Sequence, residues 1–404
     1  MKFPLISQLF SKRALLIFIL ASFFSGCDNT DPHDAELQRI ISHNTLTGTP
    51  TSHHKIPNIN SPKAQLGMKL FYTKTLGGDR TTACVTCHHP LLGGGDNLSL
   101  SVGTNSSNPS ILGRHREIKF DGHVEVPRNA PTTFNVAFYK KVLFHDGRVE
   151  RLGKHSIHTP DVAYPNEDPL AGETLQLQNM NARRFLSIIP GKDISKVISQ
   201  HFLKKPKKDA LLFYKPHDQG GANCVSCHSG DFFTNEKAYN TAIPQIGNGK
   251  DNGVTKSNDY GCNLVTGKSK DKFRFRTPSL LNVEVTGPWG HDGAYTSLEG
   301  ITKHMLSPKE SARNYNPMQL KQKHIAINDL ESNTQEALDA GVHLLPKPDL
   351  KKEDVTNLVK FLKALTDPCV KDRACLSKWI PKPEDNDPDD MMLHAINGET
   401  GNFL

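Results

Sequence analysis

The feature that most constrains this chain is a short pattern, Cys-x-x-Cys-His, that occurs twice, at residues 84–88 and at residues 224–228. Two thiols at this spacing reach the two vinyl groups of a haem, and the imidazole that follows points at the iron. The pattern therefore predicts two covalently attached haem c groups. The six residues that would hold them are Cys84, Cys87, His88, Cys224, Cys227 and His228.

Cysteine pairs of this kind also occur in zinc sites and in thioredoxin-like redox pairs. A zinc ribbon places its two pairs about 15–20 residues apart. Here the two pairs are separated by about a third of the chain. Two copies in one chain that carries an export signal favour haem attachment over both alternatives.

The N-terminal segment has the pattern of a bacterial export signal. Three cationic side chains precede or flank a mostly apolar run over residues 14–24, which is too short to cross a bilayer, because that takes about 20 residues. Small residues then lead to Cys27, as in a lipobox, although Phe24 stands where Leu is usual. We predict a lipid anchor at Cys27 on the periplasmic side of a bacterial membrane. Simple cleavage, which would give a soluble periplasmic protein, remains the alternative.

Length and pattern suggest two folded domains within the 404 residues. We predict a signal peptide over residues 1–27, a polar tether over 28–61 and a polar C-terminal tail over 385–404. The two domains between them would span residues 62–205 and 206–384, one for each cysteine motif. Apolar residues at helical spacing and frequent Gly, Asn and Pro predict a mainly α fold, with helices joined by long loops.

The charge distribution and the remaining cysteines bear on possible partners and on a disulfide. Lys and Arg total 49 against 42 acidic residues, and they are scattered along the chain, so no nucleic-acid partner is predicted. Cys369 and Cys375 are close enough in sequence to bridge a small loop in an oxidising compartment. Cys262 is left over as a free or buried thiol.

The second axial position of each haem decides what that haem does. An open face binds a small molecule such as peroxide, whereas a filled face only transfers electrons. A His and Met pair raises the reduction potential, which suits a haem that receives electrons. After the second motif the sequence offers His291, His304 and Met305 as candidates for this position.

Further segments resemble the bacterial dihaem cytochrome c peroxidases, in a likeness that spans residues 62–380. These segments are Thr-Ala-Cys-Val-Thr-Cys-His at 82–88, Gly-Gly-Asp-Asn-Leu at 94–98, Ser-Val-Gly at 101–103, Pro-Arg-Asn at 127–129, Asp-Gly-Arg at 146–148, Phe-Arg-Thr-Pro-Ser-Leu-Leu-Asn at 275–282, Thr-Gly-Pro-Trp at 286–289, His-Asp-Gly at 291–293 and Leu-Thr-Asp-Pro-Cys at 365–369. The resemblance implies two cytochrome c-like haem domains.

The same resemblance implies the roles of the haem ligands. His88 would be the proximal ligand of a peroxide-binding haem, and His228 that of a haem that receives electrons. In the family, the sixth ligand of the second haem is a Met fourteen residues after the His of His-Asp-Gly. Counted from His291, this position is Met305, which makes it the predicted ligand and His304 the alternative.

A calcium ion between the domains is also implied by the resemblance. The family binds it through the Asn of Pro-Arg-Asn and through backbone carbonyls of the Thr-x-Pro turn. These positions correspond to Asn129, Thr286 and Pro288.

Two departures from the family affect the predicted reaction site. Family members usually have a Trp between the haems, immediately before Asp-Gly-Arg, where this chain has His145. The Gln and the proton-transferring Glu of the family's peroxide site fall on His155 and Pro165 in an ungapped frame. An insertion has therefore displaced the acid, and Glu173 and Asp193 are the candidates.

A third departure concerns activation. Many family members block the peroxide-binding iron, when fully oxidised, with a His that follows the Ser-x-Gly loop. This chain has Thr104 at that place, sixteen residues beyond His88, and a Thr hydroxyl is a poor iron ligand. We predict a first haem that needs no prior reduction, with His115 or His123 as the alternatives that could cover the iron.

The sequence thus predicts a dihaem cytochrome c peroxidase that reduces hydrogen peroxide with electrons from a small cytochrome c or cupredoxin. Two alternatives remain open. One is an oxidase of the MauG type, which modifies side chains of a partner protein, although that type has Tyr where this chain has Met305. The other is a dihaem electron carrier without turnover. A homodimer is compatible with the sequence, and membrane contact is expected only through the lipid anchor.

Overall fold

The computed structural model describes residues 32–48, 50–51, 58–78, 80–151, 157–158, 207–343, 348–385, 387 and 389–404. The predicted signal peptide and Cys27 lie outside these residues. None of the described helices is long and apolar enough to cross a membrane.

The described residues form a mainly α structure, as predicted, in which long loops join short helices. Its α-helices are α1 (Pro32–His43), α2 (Pro62–Tyr72), α3 (Cys84–Cys87), α4 (Lys207–Tyr214), α5 (Asn263–Thr266), α6 (Leu298–Leu306), α7 (Pro308–Arg313), α8 (Leu330–Asp339), α9 (Lys352–Ala364) and α10 (Arg373–Leu376). Its strands are β1 (Ile111–Leu112), β2 (Val142–Leu143), β3 (Val149–Arg151), β4 (Ile157–His158), β5 (Ala238–Tyr239), β6 (Phe275–Arg276) and β7 (Ile396–Asn397). The strands pair as an antiparallel β2–β3–β4 sheet, an antiparallel β5–β6 pair and a parallel β1–β7 pair.

The larger core surrounds the second cysteine motif and is built from α4, α6 and α9. The apolar spacing over residues 351–365 predicts a helix there. Helix α9 confirms it, with Leu358, Phe361 and Leu362 buried. The rings of Phe213 on α4 and Phe361 pack with their centroids 4.8 Å apart. This core therefore forms a rigid wall behind residues 224–228.

A smaller core supports the first cysteine motif. Val85, between the two cysteines, is fully buried against Met68, Phe71 and Tyr72 of α2. The side chain of Ser61 caps α2 by accepting a hydrogen bond from the Ala64 amide at 3.3 Å. Helix α2 thus fixes the turn that carries the first motif.

The predicted polar C-terminal tail is folded, which corrects the sequence-based interpretation of residues 385–404. Met392 and Leu393 join the core of the first motif, and Leu404 packs beside Leu112 in a neighbouring cluster. The Leu393 amide donates to the Tyr72 carbonyl at 2.8 Å. The end of the chain is therefore part of the first domain, because its few apolar residues cover the back of the motif.

Part of the predicted tether is folded as well. Helix α1 packs on α4, with Leu37 buried in the larger core. Ion pairs join Asp34 to Lys207 at 2.5 Å and Glu36 to Lys215 at 2.9 Å. Folded structure therefore includes α1 and does not start at residue 62 as predicted, since one face of α1 carries enough apolar surface to dock.

The remaining cysteines are arranged as predicted. Cys369 and Cys375 form a disulfide with their Cα atoms 5.4 Å apart. Phe134, Val370 and Leu376 surround the bridge in a small core. Cys262 is a buried thiol. The disulfide loop fixes the segment between α9 and the C-terminal residues.

Candidate functional site

A cavity of about 260 Å³ lies directly above the second cysteine motif. Cys224, Cys227 and His228 all line it. A 3₁₀ turn over Cys224–Ser226 starts after Asn223, whose φ of 49° lies in the left-handed region. The His228 amide donates to the Cys224 carbonyl at 2.9 Å. This turn presents both thiols and the imidazole to one space, as covalent haem attachment requires.

The His228 ring is held in the form that can bind iron. Its Nδ1 lies 3.0 Å from the carbonyl oxygen of Phe233, which can only accept, so the proton of the neutral ring is on Nδ1. Burial lowers the pKa of His228 to about 4, against opposing hydrogen bonds to the carbonyls of Phe233 and Pro278. The ring is neutral near pH 7, which leaves Nε2 with the electron pair that a metal ligand needs.

Met305 also lines this cavity. It lies one residue before the end of α6, which begins where Ser297 accepts a hydrogen bond from the Gly300 amide at 3.0 Å. Its side chain is 45% exposed, although its helix neighbours Leu298 and Ile301 are buried. A thioether that faces the cavity is placed as a haem ligand would be.

The alternative ligand, His304, faces the other way. Its ring is fully buried, with Nδ1 2.7 Å from the hydroxyl of Tyr295 and Nε2 2.8 Å from the carbonyl of Thr241. Both nitrogens are therefore engaged within the protein. The structure favours Met305 over His304 for this reason.

His291 also lines the cavity and is held by stacking. Its ring lies on that of Phe275 with centroids 3.7 Å apart and an interplanar angle of 10°. Its Nε2 is 3.1 Å from Oε1 of Gln245. Phe275 belongs to β6, so the Phe-Arg-Thr-Pro and His-Asp-Gly segments meet at one wall of the cavity.

The first cysteine motif has the same local design as the second. Helix α3 spans Cys84–Cys87, and Nδ1 of His88 lies 3.3 Å from the Gly94 carbonyl. Burial, and then the nearby Asp96, raise the pKa of the Cys87 thiol to about 11. The predicted residues on the far side of this haem, His155, Glu173 and Asp193, lie outside the described part of the chain, so their roles stay predictions.

His145 connects the first domain to the cavity of the second motif, which it lines. Its Nε2 donates to the Asn129 carbonyl at 3.0 Å, and its own carbonyl accepts from the Arg276 amide at 2.7 Å. Burial lowers the pKa of His145 to about 4, and the charges of Arg276 and Arg128 lower it further. A neutral imidazole therefore occupies the place where the resemblance led us to expect an indole.

The predicted calcium ligands lie near a cleft of about 490 Å³ between the two domains. Pro288 lines this cleft together with Leu98 and Ser99. The Asn129 side-chain amide donates to the carbonyls of Leu98 and Ser99 at 2.7 and 3.1 Å, which turns its oxygen away from them. Thr286 is adjacent to Gly93 at the same edge. Amide and carbonyl oxygens are the donors that calcium accepts, so these residues fit the ion in chemistry.

Comparison with known proteins finds similarity to dihaem cytochrome c peroxidases. A sequence profile described as di-haem cytochrome c peroxidase matches residues 61–189. The cytochrome-c peroxidase IdrP1 of Pseudomonas sp. (strain SCT) is 28% identical over 292 residues, which cover 60% of this chain and 71% of the relative. The cytochrome c551 peroxidase of Pseudomonas aeruginosa is 26% identical over 270 residues, which cover 60% of this chain and 70% of that protein.

The chain is therefore similar to dihaem cytochrome c peroxidases and to MauG proteins. The methylamine utilization protein MauG of Methylophilus methylotrophus is also similar, at 24% identity over 273 residues, which cover 61% of this chain and 72% of that protein. This similarity supports a peroxidase-type oxidoreductase with haem c cofactors.

Two solved structures share the fold of this chain. The crystal structure of a MauG-like protein associated with microbial copper homeostasis superposes with a TM-score of 0.51 at 20% identity, covering 80% of this chain and 94% of that one. The diheme peroxidase BthA from Burkholderia thailandensis gives 0.50 at 19% identity, covering 79% of this chain and 89% of that one.

One group beside the cavity was missed from the sequence, a buried ionic cluster centred on Arg128. Its guanidinium contacts both carboxylate oxygens of Asp259 at 2.6 and 2.8 Å and one oxygen of Asp146 at 2.5 Å. All three side chains are buried. Arg128 and Asp146 belong to family segments, but Asp259 lies far along the chain, and no local pattern relates it to Arg128.

The Arg128 cluster also contacts Phe275, which lines the cavity of the second motif. The Arg128 guanidinium lies over the ring of Phe275, 5.8 Å from its centroid, and Phe275 stacks on His291. Burial alone would raise the pKa values of Asp146 and Asp259, but the Arg128 charge more than offsets it and lowers both. The cluster therefore carries two ionised carboxylates and one cation behind the stacked pair.

Proposed function

We propose that this chain is a peroxidase that reduces hydrogen peroxide with electrons delivered by a small cytochrome c or cupredoxin. The observation that carries the proposal is the cavity of the second motif, which both His228 and Met305 line. Haem c supplies the one-electron and peroxide chemistry when it is bound. A His and Met pair at the second haem suits reception of electrons, because it raises the potential.

In this proposal each domain has a separate task. Cys84, Cys87 and His88 would hold a haem with an open face for peroxide, and Cys224, Cys227, His228 and Met305 would hold a six-coordinate haem that passes electrons to it. His145 would lie on the route between them as a neutral ring. Imidazole is harder to oxidise than indole, so we expect the transfer to bypass oxidation of this side chain.

Proton delivery to peroxide needs an acid or base near the first haem. We propose Glu173 or Asp193 for this role, with His155 beside it. Support comes from the resemblance, since the family's acid lies in this part of the chain. Two protons and two electrons convert hydrogen peroxide into two water molecules, so two protons must reach the site from solvent in each cycle.

We also propose a calcium ion held by Asn129, Thr286 and Pro288 at the cleft between the domains. The orientation of the Asn129 amide supports it. The lining of the cleft also includes Arg114, Lys321 and Arg373, whose charges weaken cation binding there. We therefore expect a site of modest affinity that calcium fills only at high free concentrations.

For localisation we propose export to the periplasmic side of a bacterial membrane, with lipid at Cys27. The support is the signal pattern of residues 1–27. The same pattern supports the disulfide between Cys369 and Cys375, which persists in an oxidising compartment.

A MauG-type oxidase is the second candidate, and the similarity to MauG proteins favours it. Stopped-flow spectra of the reduced protein mixed with peroxide, with and without a donor cytochrome, separate the candidates. A peroxidase returns to its starting spectrum only when the donor is present. A long-lived oxidised spectrum that a partner protein discharges, and that a donor cytochrome does not, would support the MauG type. An unchanged spectrum would indicate an electron carrier.

A further inference from the structure

We infer that His304 is a positioning residue that holds Met305 toward the second haem, through a hydrogen-bonded chain formed by Ser311, Tyr295, His304 and Thr241. This inference rests on the proposed ligand role of Met305. From the sequence, His304 was considered only as an alternative ligand, and the other three groups had no predicted role.

The direction of each hydrogen bond in the chain is fixed by its partners. The Thr241 carbonyl can only accept, so Nε2 of His304 carries a proton and donates to it at 2.8 Å. The neutral ring then has an electron pair on Nδ1, which accepts the Tyr295 hydroxyl at 2.7 Å. The Tyr295 oxygen in turn accepts from the Ser311 hydroxyl at 3.0 Å. One set of proton positions therefore satisfies all four groups of this hydrogen-bonded chain.

The hydrogen-bonded chain holds the helix turn that carries Met305. Met305 is on the last turn of α6, where backbone carbonyls run out of partners within the helix and the end frays easily. Successive residues of a helix point about 100° apart. His304 therefore points into the protein while Met305 points into the cavity, and a bond to the His304 ring fixes the rotation of the whole turn.

The two partners of the His304 ring belong to other walls of the same cavity. Thr241 itself lines the cavity. Tyr295 exchanges two backbone hydrogen bonds with Trp289, at 2.8 and 3.0 Å, and Trp289 also lines the cavity. The His304 ring thus ties the end of α6 to two other segments that line the cavity, which fixes the position of Met305 beside it.

Burial makes this tie stiff. His304 is fully buried and Tyr295 is 3% exposed, so water is absent as a substitute partner. The Tyr295 and His304 rings also pack with centroids 4.9 Å apart. Removing the imidazole takes the donor away from the Thr241 carbonyl and leaves the Tyr295 hydroxyl with Ser311 as its hydrogen-bond partner. The helix end then gains freedom that competes with ligation.

The test is displacement of Met305 by imidazole in the oxidised dihaem protein, followed by loss of the Met-to-iron charge-transfer band. His304→Leu should increase the apparent affinity for imidazole at the second haem on the order of tenfold and lower its midpoint potential. His304→Gln, which can donate and accept at similar places, should restore most of the native affinity. Lys303→Gln changes an exposed neighbour on the same helix and should leave the affinity unchanged.

Tyr295→Phe removes only the hydroxyl and should give a smaller increase in the same direction. It decides the matter if His304→Leu does not fold. An imidazole affinity that is unchanged in His304→Leu, or in Tyr295→Phe when only that variant folds, would overturn the inference. Met305→Leu separates this failure from failure of the proposed function. If that variant keeps the charge-transfer band, Met305 is not the ligand and both proposals fall. If it loses the band, the ligand role stands independently of His304.

Discussion

Met305 and His304 are neighbouring candidates for the same ligand position at the second haem. Spacing from His291 favoured Met305, but the same stretch of sequence offers His304 one residue earlier. Burial and hydrogen bonding separate the two, because the His304 ring is satisfied by the protein while the Met305 thioether faces the cavity. We therefore expect Met305 to be the ligand, because it occupies the side of the helix turn that faces the cavity.

Replacing the thioether with an imidazole tests this assignment. We expect Met305→His to lower the midpoint potential of the second haem by on the order of 100 mV or more, because bis-His ligation favours the oxidised iron. Spectroelectrochemical titration measures it. Met318→His, at a Met that is 86% exposed elsewhere, is the control and should leave the potential unchanged. An unaltered potential and spectrum in Met305→His would remove Met305 from the ligand set.

The Arg128 cluster gives a stability prediction. Arg128→Met leaves the buried carboxylates of Asp146 and Asp259 without their cation, which should cost about 3–5 kcal/mol in the free energy of unfolding. Arg148→Met is the control, since Arg148 is 34% exposed and reaches Asp146 only at 3.4 Å. Urea denaturation near pH 7 compares the variants. Equal losses in both variants would argue against a special role for the buried cluster.

The same cluster predicts a pH dependence. Arg128 lowers the pKa values of both carboxylates below the ordinary value of 3.8. A lowered pKa in the folded state contributes stability above 3.8 that is lost as pH falls through the folded pKa. The stability difference between the native protein and Arg128→Met should therefore shrink below about pH 4. A difference that stays constant from neutral pH to about pH 3 would contradict this assignment of charge.

Among the elements, the C-terminal segment and α1 are the parts that sequence reasoning misplaced. Strand β7 is two residues long, too short for alternation to reveal it, and its partner β1 is distant in sequence. Helix α1 does carry Leu37, Ile40 and Ile41 at helical spacing, a signal that its polar surroundings obscured. Helix α9 was predicted correctly because thirteen residues show the period clearly.

Folding of the C-terminal segment has a measurable consequence. Leu393 is 2% exposed in the core of the first motif, so Leu393→Ala should cost about 2–5 kcal/mol in unfolding free energy. Glu399→Ala, at an exposed site of the same segment, should cost little. Chemical denaturation followed by the absorbance of the haems reports both. A loss below about 1 kcal/mol for Leu393→Ala would mean that the segment does not dock in solution.

At the scale of the whole molecule, the two haem-attachment motifs could be predicted from the sequence, because the residues of each motif lie within five positions. The contacts between residues distant in sequence could not be predicted. Arg128 contacts Asp259, and the Arg276 amide donates to the His145 carbonyl, only after the chain has folded, and no local spacing encodes these contacts. The sequence therefore predicts the haem that each motif would attach. The structure adds which distant residues line the cavity of the second motif.

Activation is a property of the whole molecule, and Thr104 predicts it. This residue is exposed on a loop that Arg116 anchors by donating to the Gly103 carbonyl at 2.8 Å. With no imidazole there, we expect a high-spin first haem that reacts with peroxide without prior reduction. Electron paramagnetic resonance of the fully oxidised protein tests it. Two low-spin signals, no high-spin signal, and activity only after one-electron reduction would contradict the prediction and implicate His115 or His123.

The measurement that tests the central claim most directly is the stoichiometry of donor oxidation by peroxide. Purified dihaem protein is mixed with a reduced donor cytochrome and a limiting amount of hydrogen peroxide. We expect two donor molecules to be oxidised for each peroxide consumed, because the reduction to water takes two electrons. We also expect no oxygen release, and loss of the reaction when Cys224 and Cys227 are changed to Ala. Peroxide that persists, or that disappears without oxidising the donor, would contradict the assignment as a peroxidase.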